Sequence, residues 1–283
     1  MTRVLVWGHH GLLAESLHRI FQGHGDIHFW GRAQIPAIRR DISRKISQLN
    51  PGAIINASGY TRLGRAEETP SLARELHVEL PSFLAAYCRN RAIPFVTVST
   101  DYVFSGKGQS SWNEFHRPDP VNAYGKSKLA GEYAVQSAYP RAKIIRTAGL
   151  FGPSPAGSKV SFPERIVRQA RLGQVPVVRS DLTTSLCHVD DLVKDLWTIL
   201  WGPSAGIFHI AHAGGATWLQ VAELALVETG LSTRVRATQT PDFPRPVSSV
   251  LVTNRPEVQT GQAARKSWQE ALRVFMRELR NHE

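Results

Sequence analysis

The sequence predicts an α/β fold, a doubly wound parallel sheet with a smaller C-terminal lobe, and three observations predict it. Short apolar, β-branched runs alternate with stretches of helical periodicity, which is the signature of a parallel sheet covered on both faces. A glycine turn follows the first of these runs directly. After about residue 150 the alternation loosens into Gly, Pro and Ser turns, as at Phe151-Gly152-Pro153-Ser154, which marks the start of the lobe.

The runs read as strands are Val4 to Trp7, Ile27 to Trp30, Ala53 to Asn56, Pro94 to Ser99, Lys143 to Arg146 and Ile207 to Ile210. Leu13, Leu17, Ile20 and Phe21 form one helical stripe, and Leu192, Leu196, Ile199 and Leu200 form another. Helical periodicity also runs from Ser71 to Arg91, where Pro81 is expected to kink the helix or begin a new one. A further helix is expected from about Pro163 to Leu172. Thr217 with Gln220 makes a capping box, and Gly230 is the matching stop. Residues 1–150 are therefore expected to form a dinucleotide-binding domain, completed by a returning strand near 206–211, and residues 151–283 the lobe.

Composition narrows the function classes. At 42% hydrophobic and 20% charged the chain is an ordinary globular protein, and at 283 residues it can bury a full core without staples. Cys88 and Cys187 are far apart and fit no ligand spacing, so neither disulfides nor a metal site is expected, and a reducing cytoplasm suits them. The adjacent His9 and His10 do not converge as ligands four apart on a helix do. No run approaches eighteen apolar residues, so no membrane span is expected. The net charge of +11, supplied mostly by arginine, is scattered rather than gathered on one helix face. A cleft for phosphate-bearing small molecules accounts for it better than nucleic acid does.

Gly8-His9-His10-Gly11-Leu12-Leu13-Ala14 stands where a first strand meets a first helix. Small residues there let backbone approach a pyrophosphate at the helix N-terminus, where free amides and the dipole favour negative charge. This is the fingerprint of a Rossmann fold, and Gly8, Gly11, Leu12 and Leu13 are cofactor candidates. The second strand ends in Gly31-Arg32 instead of an acidic residue, which favours the 2′-phosphate of NADPH over the 2′-hydroxyl of NADH, with NADH not excluded. Asp41 and Ile42 are candidates for the adenine pocket. Ala57, Ser58, Gly59 and Thr61, after the third strand, lie at a ligand edge of such a sheet.

Ser99-Thr100-Asp101-Tyr102 and Tyr124-x-x-x-Lys128 carry the chemistry. Tyr124 and Lys128 share one helix face, capped by Asn122. Chance alone would give such a Tyr/Lys spacing in about one chain in six of this composition, so Thr100 at a strand end is what gives the pair meaning. Its hydroxyl would bond a substrate carbonyl while Tyr124 supplies the proton. An ammonium about 4 Å from the phenol at an effective dielectric near 20 is worth about 4 kcal/mol, enough to bring the phenol pKa toward neutrality.

These residues resemble the extended short-chain dehydrogenase/reductases, and specifically the dTDP-4-dehydrorhamnose reductase family. The resemblance is carried by Gly8 to Ala14, Asn56 to Thr61 with Ala66-Glu67, Ser99 to Gly106, Tyr124 to Glu132, Arg146-Thr147, and Arg245-Pro246 with Ser249 and Leu251. It implies Thr100, Tyr124 and Lys128 as the catalytic trio, with Tyr124 and Lys128 also touching the cofactor. It further implies a nucleotide-sugar substrate met by Tyr102, Phe104, Phe162 and Arg245, and it is compatible with a homodimer. The expected reaction is reduction of the 4-keto group of a nucleotide-diphosphate 4-keto-6-deoxysugar.

Three departures stand out. Ala148-Gly149 replaces a usual aromatic near the sugar, Asp181-Leu182-Thr183-Thr184 keeps only its Asp, and His77 stands where the family often has Asn. Gly149 predicts a roomier pocket and a preferred substrate other than dTDP-4-keto-rhamnose. A 4-epimerase using the same trio, and a non-catalytic nucleotide-binding subunit, are the alternatives. A dehydratase is disfavoured because Tyr102 stands where its second acid is expected.

Overall fold

Alternation within each strand divides the core into two layers. In β1 (Val4–Trp7), Val4 and Val6 face one side of the sheet while Leu5 and Trp7 face the other, and all four are buried. The computed structural model describes residues 2–22, 26–31, 41–59, 68–154, 160–240 and 243–281. After β1 come α1 (Leu12–Phe21), β2 (Ile27–Trp30), α2 (Ile42–Leu49) and β3 (Ala53–Asn56). Then follow α3 (Pro70–Arg74), a π-helical turn over Glu75–Glu79, α4 (Leu80–Arg91), β4 (Phe95–Thr100), a 3₁₀ turn over Asp101–Val103, α5 (Ala123–Ala138) and β5 (Lys143–Thr147).

The second part contains β6 (Leu150–Phe151), α6 (Phe162–Arg171), β7 (Val177–Arg179), β8 (Thr183–Thr184), β9 (Cys187–His188), α7 (Val189–Trp201) and β10 (Gly206–His209). The last elements are β11 (Ala216–Thr217), α8 (Trp218–Glu228), β12 (Arg236–Thr238), β13 (Ser248–Ser249), α9 (Pro256–Gln259) and α10 (Trp268–Asn281).

Six strands form one parallel sheet in the order β10-β5-β4-β3-β1-β2. The stripes Leu13/Leu17 of α1 and Leu192/Leu196/Ile199/Leu200 of α7 pack on the Val4/Val6 face. Residues of α2, α3, α4 and α5, among them Ile46, Leu84 and Val135, pack on the Leu5/Trp7 face. The order reverses between β1 and β3, so the ligand crevice of such a sheet lies beyond the C-terminal ends of these strands. Those ends carry Gly8 and Ala57, with Thr100 one strand further along.

The lobe is held by Phe151, Val221, Trp268, Leu272 and Phe275, drawn from β6, α8 and α10. Its small sheet places β8 between β11 and β13. The Thr217 capping box is present, with Thr217 Oγ1 accepting from the Gln220 amide and the Gln220 side chain returning to the Thr217 backbone.

Pro81 stands in the first turn of a new α-helix, the second of its two expected roles, although the helical run is not interrupted. It lies inside a helical run that continues from Pro70 to Arg91, with the π turn before it. Pro81 lacks the amide that would bond the His77 carbonyl four residues back, and the wider turn relieves the clash of its ring with that carbonyl. The same carbonyl lies so close to α5 that a Cβ on Gly131 would come within 1.8 Å of it. Only glycine fits there.

Candidate active site

The nucleotide end is built from backbone contact. At Gly8 φ is +138°, and a Cβ would meet the Ala57 carbonyl carbon at 3.0 Å, so the turns after β1 and β3 touch directly. Ala57 N–H donates to Trp7 O (2.9 Å), and Asn56 Oδ1 accepts from the amide and hydroxyl of Ser58 (3.2 and 2.6 Å). Gly11, φ +115°, caps α1 with no side-chain bond to the first-turn amides, and a Cβ there or at Gly59 would meet no atom within 4 Å. Leu12 and Leu13 hold the helix start against the core. An open, glycine-edged helix N-terminus of this kind suits a dinucleotide pyrophosphate. Asp41 pairs with Arg44 (2.8 Å) at the start of α2, and Ile42 packs on the second core layer. Arg32 and Thr61 lie outside the described residues.

Thr100, Tyr124 and Lys128 come together beside this edge. Thr100 is the last residue of β4, one residue beyond the expected strand end, and its Oγ1 also accepts from Tyr102 N (3.2 Å) to cap the 3₁₀ turn. Asn122 Oδ1 caps α5 through the Gly125 amide (2.8 Å), which aims Tyr124 and Lys128 at the end of β4. Gly125 itself lies against the Tyr102 carbonyl, where a Cβ would come within 2.1 Å. The Tyr124 ring is held edge-on by Tyr102 (5.7 Å) and His77 (5.5 Å). Lys128 Nζ donates to Val98 O (2.7 Å).

The electrostatics correct one expectation. Burial pushes the Tyr124 phenol up from its ordinary value, and the hydrogen bond with Thr100 only partly opposes this, so the phenol is not drawn toward neutrality. Burial also lowers Lys128, to about 8, against the pull of Glu132. The Coulomb argument from sequence omitted desolvation, which acts on both partners. His77, 2% exposed, is lowered to about 3 by burial and by Lys128, and it is therefore neutral.

The substrate candidates separate. Tyr102 and Arg245 meet, with Arg245 Nη1 donating to the Tyr102 hydroxyl at 3.4 Å, and the Arg245 guanidinium also lies over Phe243. Phe162 packs on Trp218 (4.6 Å), and Trp218 lines a small cleft with Asp101, Tyr102, Gly149, Pro246 and Ser249. Phe104 is not available to a substrate. It is 0% exposed, stacked on Trp112 and covered by Arg146 and His209, because the turn after Thr100 points it into the core. Gly149 does not open a large pocket either: its φ is +44°, and a Cβ would meet Ser185 O at 2.5 Å. Backbone occupies the space that a missing side chain was expected to leave.

Sequence reasoning gave no role to Asp101, although it quoted the residue within a motif. Its carboxylate is 3% exposed and accepts from Thr100 Oγ1 (3.0 Å), Thr184 Oγ1 (3.2 Å) and Ser249 Oγ (2.5 Å). It thus joins the catalytic strand to both β8 and β13 of the lobe. Beneath the trio, Glu132 and Arg146 form a buried ion pair, 2.6 Å at its shortest, to which Ser99 donates as well. Glu132, four residues after Lys128, was a detectable signal: a carboxylate on the buried face of a helix requires a partner.

A family model described as the RmlD substrate binding domain matches residues 1–281. The chain is 34% identical over 282 residues to a Streptomyces antibioticus protein named probable dTDP-4,6-dihydroxy-2-methyloxan-3-one 4-ketoreductase, covering 96% of this chain and 93% of that one. It is 30% identical over 264 residues to the dTDP-4-dehydrorhamnose reductase of Salmonella typhimurium strain LT2, covering 87% and 86%. A crystal structure of dTDP-4-dehydrorhamnose reductase from Bacillus anthracis strain Ames, in complex with NADP, superposes with a TM-score of 0.89 at 25% identity, covering 98% of this chain and 99% of that one.

Proposed function

The chain belongs to the RmlD substrate binding domain family of extended short-chain dehydrogenase/reductases, and from that premise we propose that it uses NADPH to reduce the 4-keto group of a nucleotide-diphosphate-linked 6-deoxysugar. The observation that carries the reading is the convergence of Thr100, Tyr124 and Lys128 where the sheet's strand ends meet the lobe. Relatives named as dTDP-sugar 4-keto reductases, and a neighbour holding NADP, support the substrate class and the cofactor.

NADPH, when bound, supplies the hydride. Gly8, Gly11, Leu12 and Leu13 would hold its pyrophosphate end, Ala57, Ser58, Gly59 and Thr61 its middle, and Arg32, Asp41 and Ile42 its adenosine end. Tyr124 is the proton donor. Burial keeps its phenol protonated at ordinary pH, so the proton is in place when charge develops on the sugar oxygen. Thr100 orients the carbonyl oxygen, and Lys128, one helical turn after Tyr124 and bonded to Val98 O near the end of β4, would supply the cation that favours the negative charge as it forms. Tyr102, Arg245 and Phe162 belong to the sugar-nucleotide side of the site, and residues 151–283 supply most of its wall.

NADPH oxidation with dTDP-4-keto-rhamnose, dTDP-4-keto-6-deoxy-D-glucose and UDP-glucose tests the reading. One NADPH consumed per 4-keto sugar, lost in Tyr124→Phe with NADPH binding retained, is the expected result. Interconversion of UDP-glucose epimers without net NADPH consumption would replace the reductase by an epimerase.

A further inference from the structure

The Thr100 hydroxyl is already engaged on every side by protein partners. Its O–H lies 3.0 Å from Asp101 Oδ1, its oxygen accepts from Tyr102 N–H (3.2 Å), and it is hydrogen-bonded with the Tyr124 phenol as well. With both substrate-facing hydroxyls turned elsewhere, an incoming carbonyl can recover Tyr124 by simple rotation. Thr100 is different, because an ionised Asp101 has no hydrogen to give back and holds the threonine proton.

We propose that Asp101 is a positioning residue that sets the direction of the Thr100 hydrogen bond: the neutral acid donates to Thr100 and frees its proton for the substrate oxygen, and the carboxylate takes that proton away. The inference rests on the reading of Thr100 as the carbonyl-orienting hydroxyl. Its geometric basis is the asymmetry of the carboxyl group. Oδ2 is occupied by two donors from the lobe, Ser249 Oγ and Thr184 Oγ1, so Oδ1 is the oxygen that a proton reaches, and Oδ1 is the one facing Thr100.

The surroundings make the neutral form accessible. Burial raises Asp101 to about 6 against the three hydroxyl donors that favour its charge. Facing it from α5 are Tyr124, whose phenol stays protonated, and four residues on Lys128, whose ammonium is turned to Val98 O. On its own turn stands Tyr102, which takes a bond from Arg245. The facing residues of β8 and β13, Thr184 and Ser249, present hydroxyls only.

The test is single-turnover NADPH oxidation between pH 5 and 9 with whichever panel sugar is turned over fastest. The wild type should lose about tenfold in rate between pH 5.5 and 7.5, with a separate loss above about 8 as Lys128 discharges. In Asp101→Asn the amide oxygen takes the Ser249 and Thr184 bonds, which turns the NH₂ toward Thr100 permanently. The lower step should then shrink to less than about twofold while the upper one persists. Ser249→Ala removes one donor to the carboxylate, so its lower step should move up in pH by about half a unit or more.

An unchanged lower step in Asp101→Asn refutes the inference, as does a fixed or lowered midpoint in Ser249→Ala, which decides alone where Asp101→Asn does not fold. Thr100→Val separates the two levels. It should lose about a hundredfold, and retention of wild-type rate would overturn the reading of Thr100 itself, whereas loss combined with an unaltered Asp101→Asn profile would overturn only the role of Asp101.

Discussion

Gly125 fixes the distance between the proton donor and the strand that carries Thr100. A Cβ at this position would come within 2.1 Å of the Tyr102 carbonyl oxygen and 2.9 Å of the Pro120 ring, against a floor of 3.0 Å for real Cβ contacts. The shortfall toward Tyr102 is therefore about 0.9 Å, and the obstacle is backbone. Gly125→Ala must push α5 away from the 3₁₀ turn by about that amount, moving Tyr124 and Lys128 relative to Thr100. A displacement of about 1 Å in a reacting constellation costs on the order of a hundredfold in rate, or about 2.7 kcal/mol of barrier. The assay is kcat for NADPH oxidation, with NADPH affinity and far-UV circular dichroism showing that the fold persists. A Gly125→Ala enzyme within about threefold of wild-type kcat would refute the argument.

Arg32→Ala should weaken NADPH by about 1.5 to 3 kcal/mol and leave NADH nearly untouched, measured as paired dissociation constants; equal losses would remove the 2′-phosphate role. Glu132→Ala strands Arg146 as a buried, unpaired cation and should cost about 3 to 5 kcal/mol in urea unfolding, with a loss below about 1 kcal/mol contradicting the ion pair's burial. Lys128 titrates near 8 in the folded chain and near 10.5 when unfolded, so the unfolded state holds the extra proton between these values. Stability should rise with pH across that window, and Lys128→Met should remove the rise; a stability that falls there in the wild type and is unaltered by the substitution would exclude it.

The sheet was legible because its strands are buried on both faces and read as continuous apolar runs. Helix starts at Asn122 and Thr217 were legible because capping is local chemistry. What escaped was set by contacts distant in sequence. Phe104 follows Tyr102 in one motif, yet the 3₁₀ turn sends one side chain to the cleft and the other to the core. Gly149 was read as a missing side chain, whereas its neighbour across the fold is the Ser185 carbonyl. Asp101 acquires its meaning only from Thr184 and Ser249, 83 and 148 residues further along.

The returning strand has a consequence for how the protein can be made. β5 is buried along its whole length, and β10 covers its outer edge, with Ile210 N–H reaching Arg146 O and Gly206 N–H reaching Ala142 O. During synthesis that edge emerges about sixty residues before its partner. A fragment stopped after residue 150 would present an open apolar strand edge to other chains, an invitation to intermolecular pairing. The nucleotide half should therefore aggregate when expressed without the segment that carries β10, and grafting that strand directly after β5 through a short helix, as an engineered circuit of the chain, is the design that would let it stand alone.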